Sequence, residues 1–350
     1  MYIIIDGSSM LSTNYYGTLP REMLFAKTDE EKEKLYDKIM QTSNGVYTNG
    51  VFTSLKQILW MIKQQKPEGI VVVLDRSRNT FRRELYQDYK AQRGGTPKPL
   101  KEQFVTFAEV LKEIGIPVFS SENYEADDLA GAIAKNLEVS GKECVLMSAD
   151  KDYYQLVSEK TSLWRIVPSP AKKKYEDAYG IDFEEYTKEH NLPAGTFETK
   201  YGDRILAEGA MVDLTPEQFV DYLAVVGDKS DNIPGVDRVG PMTILPLLKR
   251  YDSLESIYNE IDNAVLDGSE KELAKCWKEE LGIKTSPVNA FLKNRDKAFL
   301  SKKLAKIETE IADIPRSIDT YNLNLNNLGL KKAIDAYEFS SLKAFVKEWE

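Results

Sequence analysis

Four short apolar segments alternate with amphipathic segments over the first 150 residues, and this alternation limits the folds open to the chain. The apolar segments have the length and β-branched content of buried strands, and the amphipathic ones carry apolar residues at helical spacing. The predicted strands are YIII (2–5), GIVVVL (69–74), IPVF (116–119) and ECVLMSA (143–149), and the predicted helices include 50–64, 104–115 and 128–141. The pattern predicts an α/β fold with a doubly wound, mostly parallel central sheet.

The pattern changes near residue 214. Residues 158–214 are polar, contain the single histidine, His190, and are interpreted as a candidate insertion, as is the stretch of about 262–290. From residue 215 to residue 350 the apolar residues recur at helical spacing. We therefore expect an α/β core over residues 1–214 and a helical region over residues 215–350.

Acidic residues stand where the predicted strands end. Asp6, Asp75 and Asp150 directly follow apolar strands, and the acidic stretch NYEADDLAG (123–131) follows the strand IPVF closely. A further acidic turn, GDKSDN (227–232), follows an apolar helix. The candidate metal ligands are Asp6, Asp75, Glu125, Asp127, Asp128, Asp150, Asp152, Asp228 and Asp231. Because ligands of open α/β sheets bind at the carboxyl ends of the strands, we expect these side chains to share one crevice.

Each acidic residue also has a purely structural explanation. Acids in the first turn of a helix cap free N–H groups and complement the helix dipole, and Asp after a strand is common in turns. Together, however, five segments bring acids to one edge without matching bases, so cations are needed to offset their repulsion. All-oxygen ligands suit Mg²⁺, with Mn²⁺ as a substitute. The surplus of ligands predicts two or more ions, roughly 3.5–4 Å apart, as in enzymes that cleave phosphodiesters.

The charge balance fits a nucleic-acid partner once its distribution is considered. The formal net charge is −9, which by itself argues against a polyanionic ligand. Setting the nine candidate ligands aside leaves 47 of the 56 acidic residues, equal to the 47 basic residues. Residues 76–101 hold eight Lys or Arg against two acids. The acidic composition therefore does not exclude DNA.

Aromatic residues interleave with the basic residues of this segment. The basic residues are Arg82, Arg83, Lys90 and Arg93, and the aromatic ones are Phe81, Tyr86 and Tyr89. This composition suits single-stranded nucleic acid, through phosphate contacts and base stacking. A solvated loop is the alternative, and the position beside an acidic crevice favours the nucleic-acid interpretation.

The stretch GDKSDNIPGVDRVGPMTILPLLKRY (227–251) is typical of a helix–loop–helix hairpin. Gly235 and Gly240 permit tight turns, and Pro241 suits the first position of the second helix. Free N–H groups at that helix start would bind phosphate without reading base sequence. A purely structural hairpin is the alternative.

Several other classes of protein are excluded or disfavoured. No window approaches the roughly 18 apolar residues of a membrane helix, and no signal peptide is recognisable. Two cysteines, Cys144 and Cys276, favour a reducing compartment, so we expect a cytoplasmic protein. The chain lacks a G-x-x-x-x-G-K-[ST] phosphate loop. With one histidine, acid–base chemistry based on histidine is disfavoured.

Taken together, the motifs resemble the 5′-nuclease (flap endonuclease) family, especially the 5′→3′ exonuclease domain of bacterial DNA polymerase I and its stand-alone phage relatives. The resemblance runs through most of the chain in order. The motifs that carry it are IIIDGSS (3–9), VVVLDRSRNTFRRELYQDYKAQR (71–93), YEADDLAG (124–131), SADKDYYQL (148–156), GDKSDNIPGV (227–236) and LSKKLAKIETEI (300–311).

The resemblance implies a helical arch over about 76–104 and a helix–three-turn–helix duplex-binding element over about 219–256. It assigns Asp6, Asp75, Glu125 and Asp127 to one metal cluster, and Asp128, Asp150, Asp152, Asp228 and Asp231 to a second metal or its outer shell. It implies that Arg82 and Lys90 steer the scissile phosphate, and that Arg83, Tyr89, Arg93, Gly235 and Gly240 contact DNA. A K⁺ site at the hairpin is also implied, although Asp237 and Arg238 depart from the glycine-containing turn of the family.

The implied function is a structure-specific, divalent-metal-dependent 5′-nuclease. Its substrates would be 5′ ends, nicks, 5′ flaps and RNA primers in RNA/DNA hybrids during replication or repair, in a bacterial or phage-infected cell. Since the sequence ends at residue 350, we expect a stand-alone enzyme acting with a separate DNA polymerase. The alternatives are a non-catalytic DNA-junction-binding relative and a phosphohydrolase of small phosphate esters. The first should lack some carboxylates, and the second leaves the basic segment unexplained.

Overall fold

The computed structural model describes residues 1–207 and 210–348, and a six-stranded sheet forms its centre. The strands are β1 (Tyr2–Asp6), β2 (Gly69–Val73), β3 (Val118–Phe119), β4 (Cys144–Ser148), β5 (Thr161–Ile166) and β6 (Thr196–Thr199). Their order is β3-β2-β1-β4-β5-β6, and every pair is parallel except β5 with β6. The mostly parallel sheet predicted from the sequence is confirmed. A separate hairpin joins β7 (Ile205–Ala207) to β8 (Ala210–Val212).

Helices cover the sheet and form most of the second half of the chain. Those before residue 200 are α1 (Gly7–Gly17), α2 (Arg21–Phe25), α3 (Asp29–Glu33), α4 (Asn49–Gln65), α5 (Phe81–Leu85), α6 (Lys98–Glu113), α7 (Ala126–Val139), α8 (Ser169–Tyr179) and α9 (Phe183–Glu189). Those after it are α10 (Pro216–Val226), α11 (Pro241–Tyr251), α12 (Leu254–Asp267), α13 (Glu270–Leu281), α14 (Val288–Lys293), α15 (Arg295–Ala305), α16 (Asn327–Ala336) and α17 (Lys343–Glu348). Short 3₁₀ helices cover Tyr36–Lys38, Lys151–Leu156, Ile318–Tyr321 and Ser340–Leu342.

The sheet is buried on both faces, which explains why its central strands are continuous apolar runs. Every residue of β1, β2 and β4 is buried. Ile3 and Ile5 of β1 face a core that includes residues of α1, α4 and α6, whereas Tyr2 and Ile4 face a core that includes residues of α7. The second core continues into the helical region, so residues of α10, α11 and α12 belong to it as well. This packing holds the turn after α10 beside the carboxyl edge of the sheet.

The region 158–214, which the sequence predicts to be a candidate insertion, supplies two strands of the central sheet. β5 pairs with the whole of β4, and β6 then closes that edge in the antiparallel direction. The strands were missed because β5 mixes polar and apolar residues without a regular alternation (TSLWRI) and only part of it is fully buried. Between them, α8 and α9 pack on a small aromatic core that contains Phe183 and Phe197.

The basic segment is less helical than the predicted arch. Within residues 76–97 the structure has the five-residue α5, with turns and extended backbone on either side, and α6 starts at Lys98. The predicted hairpin corresponds to α10 and α11, which are joined by turns that include an isolated bridge between Asp228 and Ile233. Among residues 1–207 and 210–348, no helix combines the length and apolarity needed to cross a membrane.

Candidate active site at the carboxyl edge of the sheet

Asp6, at the end of β1, anchors the edge where the strands finish. Its Oδ1 accepts a hydrogen bond from the Ser9 N–H (2.9 Å) and so caps α1, while its Oδ2 accepts one from the Ser148 hydroxyl (2.7 Å) at the end of β4. The two serines of the IIIDGSS motif join neighbouring strand ends, because Ser8 Oγ accepts from the Asp75 N–H (2.9 Å) and Ser9 Oγ from the Ala149 N–H (2.9 Å). Parallel pairing therefore brings the ends of β1, β2 and β4 together.

The start of α7 is tied to the same edge. Asp75 Oδ1 accepts a hydrogen bond from the Ala126 N–H at 2.9 Å, which places the first turn of α7 next to the end of β2. Glu125 is the N-cap of this helix and is buried, whereas Asp127 in its first turn is half-buried. The short β3 ends near this point, so the acidic stretch reaches the crevice as predicted.

Two further carboxylates follow β4. Asp150 is exposed and caps the 3₁₀ helix by accepting from the Asp152 N–H at 2.9 Å, whereas Asp152 is buried. Burial, followed by the charge of Asp150, raises the pKa of Asp152 to about 7. Burial, followed by the charge of Asp75, likewise raises the pKa of Asp6 to about 7.

The phenol of Tyr153 shows that four acidic segments meet. Tyr153 is buried, and in the described part of the chain its hydroxyl has no hydrogen-bond partner. Burial is the largest cause of the raised pKa of Tyr153, and the charges of the surrounding Asp residues raise this pKa further. Those residues are Asp6, Asp127, Asp75 and Asp150. One crevice thus collects the acids that follow β1, β2, β3 and β4.

Basic residues of the segment 76–101 turn inward onto this crevice. Lys90 Nζ lies 3.0 Å from both oxygens of Glu125 and 3.5 Å from Asp231 Oδ2, and its backbone adopts a positive φ of 52°. Arg93 donates to Asp231 Oδ1 through Nη2. These contacts tie the basic segment to the turn after α10. They also bring the ammonium and guanidinium groups to the rim of the carboxylate crevice.

The turn after α10 contributes Asp228 and Asp231, both buried. Asp228 Oδ1 accepts from the Ser230 N–H (2.6 Å) and hydroxyl (2.6 Å), while its Oδ2 accepts from Lys151 Nζ. Lys151 begins the 3₁₀ helix after β4, so this ion pair joins the helical region to the sheet edge. The structure therefore brings both acids of the GDKSDN turn beside the strand-end carboxylates.

At Arg82 and Asp128 the structure contradicts the predicted roles. Arg82 is 1% exposed and donates to both oxygens of Asp128 (2.6 and 2.8 Å) and to the carbonyls of Leu304 (2.9 Å) and Lys306 (2.8 Å). Asp128 is fully buried and also accepts from the backbone N–H groups of Glu125 (3.1 Å) and Glu308 (2.8 Å). Neither group is available to a phosphate or a metal ion. Together they form a structural cross-link.

Two of the predicted DNA contacts are wrong for a similar reason. Tyr89 is 3% exposed and its hydroxyl lies 3.0 Å from Glu125 Oε2, so its ring cannot stack on a base. The buried Gly235 N–H donates to Ser301 Oγ at 3.0 Å and is not free for a phosphate. Gly240, in contrast, is half-buried and precedes α11 as its N-cap. Arg83 is half-buried and contacts the Tyr89 carbonyl.

The remaining donor set fits a hard divalent cation. It consists of carboxylate oxygens, the ligands that Mg²⁺ and Mn²⁺ prefer. Asp152 Oδ1 is buried without a hydrogen bond from any described residue, although Lys151 Nζ lies 3.4 Å away. Within residues 1–207 and 210–348, no three such groups form a ready-made metal cage. Several of the oxygens instead contact Lys90, Arg93 or Lys151, and a bound ion would take their place.

Sequence reasoning missed three residues that shape the crevice, namely Lys151, Tyr153 and Ser148. All three lie inside the motif SADKDYYQL, in which the sequence reasoning considered only the acidic residues. The signal for Lys151 is its position between two carboxylates that follow one strand. The positions of Tyr153 and Ser148 next to Asp6 depend on strand pairing and had no local signal.

An α/β fold whose strand ends carry a carboxylate crevice flanked by cations defines the class of metal-dependent nucleases with a 5′-nuclease-type architecture. Residues 1–189 match the family described as 5′-3′ exonuclease, N-terminal resolvase-like domain, and residues 214–328 match 5′-3′ exonuclease, C-terminal SAM fold. The chain belongs to the 5′-3′ exonuclease family. This confirms the resemblance drawn from the motifs.

Two relatives and one solved structure agree with this membership. The chain is 31% identical to the 5′-3′ exonuclease of Aquifex aeolicus over 97% of its own length and 92% of that protein. It is 33% identical to DNA polymerase I of Streptococcus pneumoniae, covering 97% of this chain and 32% of that protein. The chain thus spans about a third of the polymerase that it matches. The flap endonuclease of bacteriophage T5, in a complex with DNA and metal ions, has a similar fold, with a TM-score of 0.52, 18% identity and coverage of 95% and 98%.

Proposed function

We propose that the chain is a divalent-metal-dependent 5′-nuclease that hydrolyses phosphodiester bonds at the 5′ ends, nicks, flaps or RNA primers of DNA. The observation that carries this proposal is the convergence of acids from five segments on one crevice, with Lys90 and Arg93 at its rim. Carboxylates in such excess over bases require cations, and basic residues beside them suit the phosphates of a polyanion. Family membership supports the same reaction.

Arg82 binds both oxygens of Asp128 and also lies 3.4 Å from Glu125 Oε2. The oxygens that would hold Mg²⁺ belong to the candidate carboxylates other than Asp128. They are Asp6, Asp75, Glu125, Asp127, Asp150, Asp152, Asp228 and Asp231. When bound, the divalent ions would supply Lewis-acid chemistry for phosphodiester hydrolysis. Asp6 and Asp152, whose pKa values are raised, must first release their protons.

Lys90 and Arg93 would hold the phosphate backbone at the crevice. Both side chains now neutralise carboxylates, and ions bound by those carboxylates would free the cations for phosphate. Lys90 is better placed than Arg82, because 22% of its side chain is exposed and Arg82 is enclosed. The half-buried start of α11 at Gly240 would contact the duplex.

The substrate class rests on the relatives. The T5 flap endonuclease was crystallised with DNA and metal ions, and about two thirds of the polymerase relative lies outside the region that this chain matches. We therefore propose DNA with a 5′ end or flap as the substrate and a DNA polymerase as the functional partner. Mg²⁺ as the ion and K⁺ at the turn between α10 and α11 stay predictions.

A cleavage assay tests the proposal with Asp150→Ala, which removes an exposed candidate ligand without creating a cavity. Purified protein is incubated with a 5′-labelled flap, a nicked duplex or single-stranded DNA, in Mg²⁺ or in EDTA. We expect Mg²⁺-dependent cleavage by the wild type and a loss of at least about 100-fold in Asp150→Ala. Asp177→Ala, which removes an exposed carboxylate of α8, is the matched control and should cleave normally.

One outcome would contradict the role given to Asp150, and another would contradict the proposed activity. Cleavage by Asp150→Ala at the wild-type rate would remove Asp150 from the site. Tight flap binding by the wild type with no turnover in Mg²⁺ or Mn²⁺ would favour a non-catalytic junction-binding protein instead.

A further inference from the structure

Lys151 lies between two candidate metal ligands that come from different parts of the chain. Its ammonium forms an ion pair with Asp228 Oδ2 and lies 3.4 Å from Asp152 Oδ1. Its side chain is 22% exposed, so the pair is largely shielded from water. Although burial lowers the pKa of Lys151, the carboxylates of Asp152 and Asp228 raise it above its usual value. The lysine is therefore held charged between the two acids.

Each of the two acids has one oxygen directed at this lysine. Asp228 Oδ1 is used within its own turn by Ser230, so Oδ2 is the oxygen that remains for a cation. Asp152 Oδ1 is buried and accepts no hydrogen bond from a described residue. The contact with Lys151 is thus the main compensation for the charge of both oxygens.

The three strand-end carboxylates have no such compensation, whereas Glu125 beside them pairs with Lys90. Among the described residues, no basic side chain forms an ion pair with Asp6, Asp75 or Asp150. A cation bound there meets only oxygen ligands, whereas a cation bound between Asp152 and Asp228 must first displace an ammonium. Because the ammonium and the metal ion carry the same sign of charge, they cannot share the space without strong repulsion.

We propose that Lys151 is an internal counter-cation that competes with a divalent ion for Asp152 and Asp228. This inference rests on the proposed function, since it assumes that the crevice binds metal. Because of this competition, the ion at Asp152 and Asp228 binds more weakly than the other ion of the crevice. Lys151 is also a positioning residue, because its ion pairs hold the turn after α10 against the sheet in the metal-free protein. A purely structural ion pair would stabilise the fold without affecting metal affinity.

Mn²⁺ titration of the purified full chain without DNA separates these roles. Electron paramagnetic resonance measures free Mn²⁺, and so gives the number of bound ions and their affinities without reference to cleavage. We expect Lys151→Met to bind its weaker Mn²⁺ about tenfold or more tightly than the wild type, because the competing charge is gone. The metal-free variant should also melt at a lower temperature, since two buried carboxylates lose their cation.

Lys302 provides the matched control. Its side chain is 25% exposed and pairs with Asp221 (2.6 Å) and Glu255 (2.7 Å), so Lys302→Met breaks a similar pair away from the crevice. It should lower the melting temperature and leave Mn²⁺ affinity unchanged. Lys151→Arg keeps the charge, should fold if Lys151→Met does not, and should bind Mn²⁺ no more tightly than the wild type.

The result that overturns the inference is a Lys151→Met protein, or in its place a Lys151→Gln protein, that binds Mn²⁺ with wild-type or weaker affinity. Tighter binding by Lys151→Arg to the same extent as by Lys151→Met would also overturn it, because charge would then not be the cause. Failure of the wild type to bind any Mn²⁺ would instead refute the proposed function, and the two failures are thus distinguishable.

Discussion

Replacing Arg82 by methionine removes the positive charge from an ion pair that lies wholly inside the protein. The guanidinium donates to both oxygens of Asp128 and to the carbonyls of Leu304 and Lys306, and the side chain is 1% exposed. Methionine replaces the aliphatic stem of arginine but carries neither the guanidinium group nor a hydrogen-bond donor. The substitution therefore leaves a fully buried carboxylate without its cation.

The expected cost follows from these contacts. Removing one partner of a buried pair costs about 3–5 kcal/mol, because the remaining charge stays desolvated. The carbonyls of Leu304 and Lys306 lose their donor, which costs about 1 kcal/mol each, and these costs add only in part to that of the broken ion pair. The backbone N–H groups of Glu125 and Glu308 still donate to Asp128, which offsets part of the loss. We expect a decrease of about 4 kcal/mol in the free energy of unfolding.

Urea denaturation in EDTA, followed by circular dichroism and by tryptophan fluorescence, measures this change. Arg83→Met is the matched control, because the adjacent guanidinium is half-buried and reaches only the Tyr89 carbonyl (3.4 Å) and Asn79 (3.3 Å). It should cost less than about 1 kcal/mol.

The outcome that refutes the reasoning is an Arg82→Met protein as stable as Arg83→Met. If such a protein also lost cleavage, the phosphate-steering role predicted from the sequence would be restored. An Arg82→Lys protein with a stability between those of the wild type and Arg82→Met would support the structural role. Lysine keeps the charge but cannot bind both oxygens of Asp128 as the guanidinium does.

Two further predictions concern metal binding and the turn after α10. Since the folded pKa values of Asp6 and Asp152 (about 7) exceed the usual 3.8, the folded metal-free protein binds more protons than the unfolded chain from about pH 4 to pH 7 and loses stability as the pH rises through that window. Scanning calorimetry should therefore show a larger Mg²⁺-induced rise in melting temperature near pH 8 than near pH 5.5. Asp6→Asn should reduce this rise. A rise that does not depend on pH would contradict the assignment of Asp6 and Asp152 as metal ligands. Gly235→Ala should cost roughly 2 kcal/mol or more and weaken duplex binding in a gel-shift assay, because φ is +68° and a Cβ would meet the Val225 carbonyl at 2.7 Å. Gly240→Ala, whose Cβ meets nothing within 4 Å, should cost about 1 kcal/mol or less, and equal effects of the two substitutions would show that the crowding at Gly235 is unimportant.

Most of the crevice could be predicted from the sequence because its signals are local. A buried parallel strand is a continuous apolar run, and the residue after it lies at the carboxyl edge whatever the partner strands are. For this reason Asp6, Asp75 and Asp150 were placed correctly without knowledge of the strand order. The first turn of α7 followed from the same rule.

The errors have a common cause: the sequence around a polar side chain does not show which distant residue that side chain contacts. Arg82 and Lys90 both looked like exposed cations of one basic segment, yet one pairs with a residue 46 positions away inside the core and the other reaches the crevice. Tyr89 looked like a stacking aromatic, and its hydroxyl contacts a carboxylate instead. β5 was missed because it lies near the edge of the sheet and mixes polar with apolar residues in no regular order.

The sequence by itself determined the fold class, the family and the edge of the sheet that carries the acids, since each depends on periodicity or on residues adjacent in the chain. Only the tertiary structure decided which acids are held by buried or half-buried cations and which face no basic side chain. That division depends on contacts between segments far apart in sequence, where desolvation and pairing set the charge of each group. It separates Asp128, fixed by Arg82, from Asp152 and Asp228, held by Lys151, and from Asp6, whose charge no described basic residue pairs.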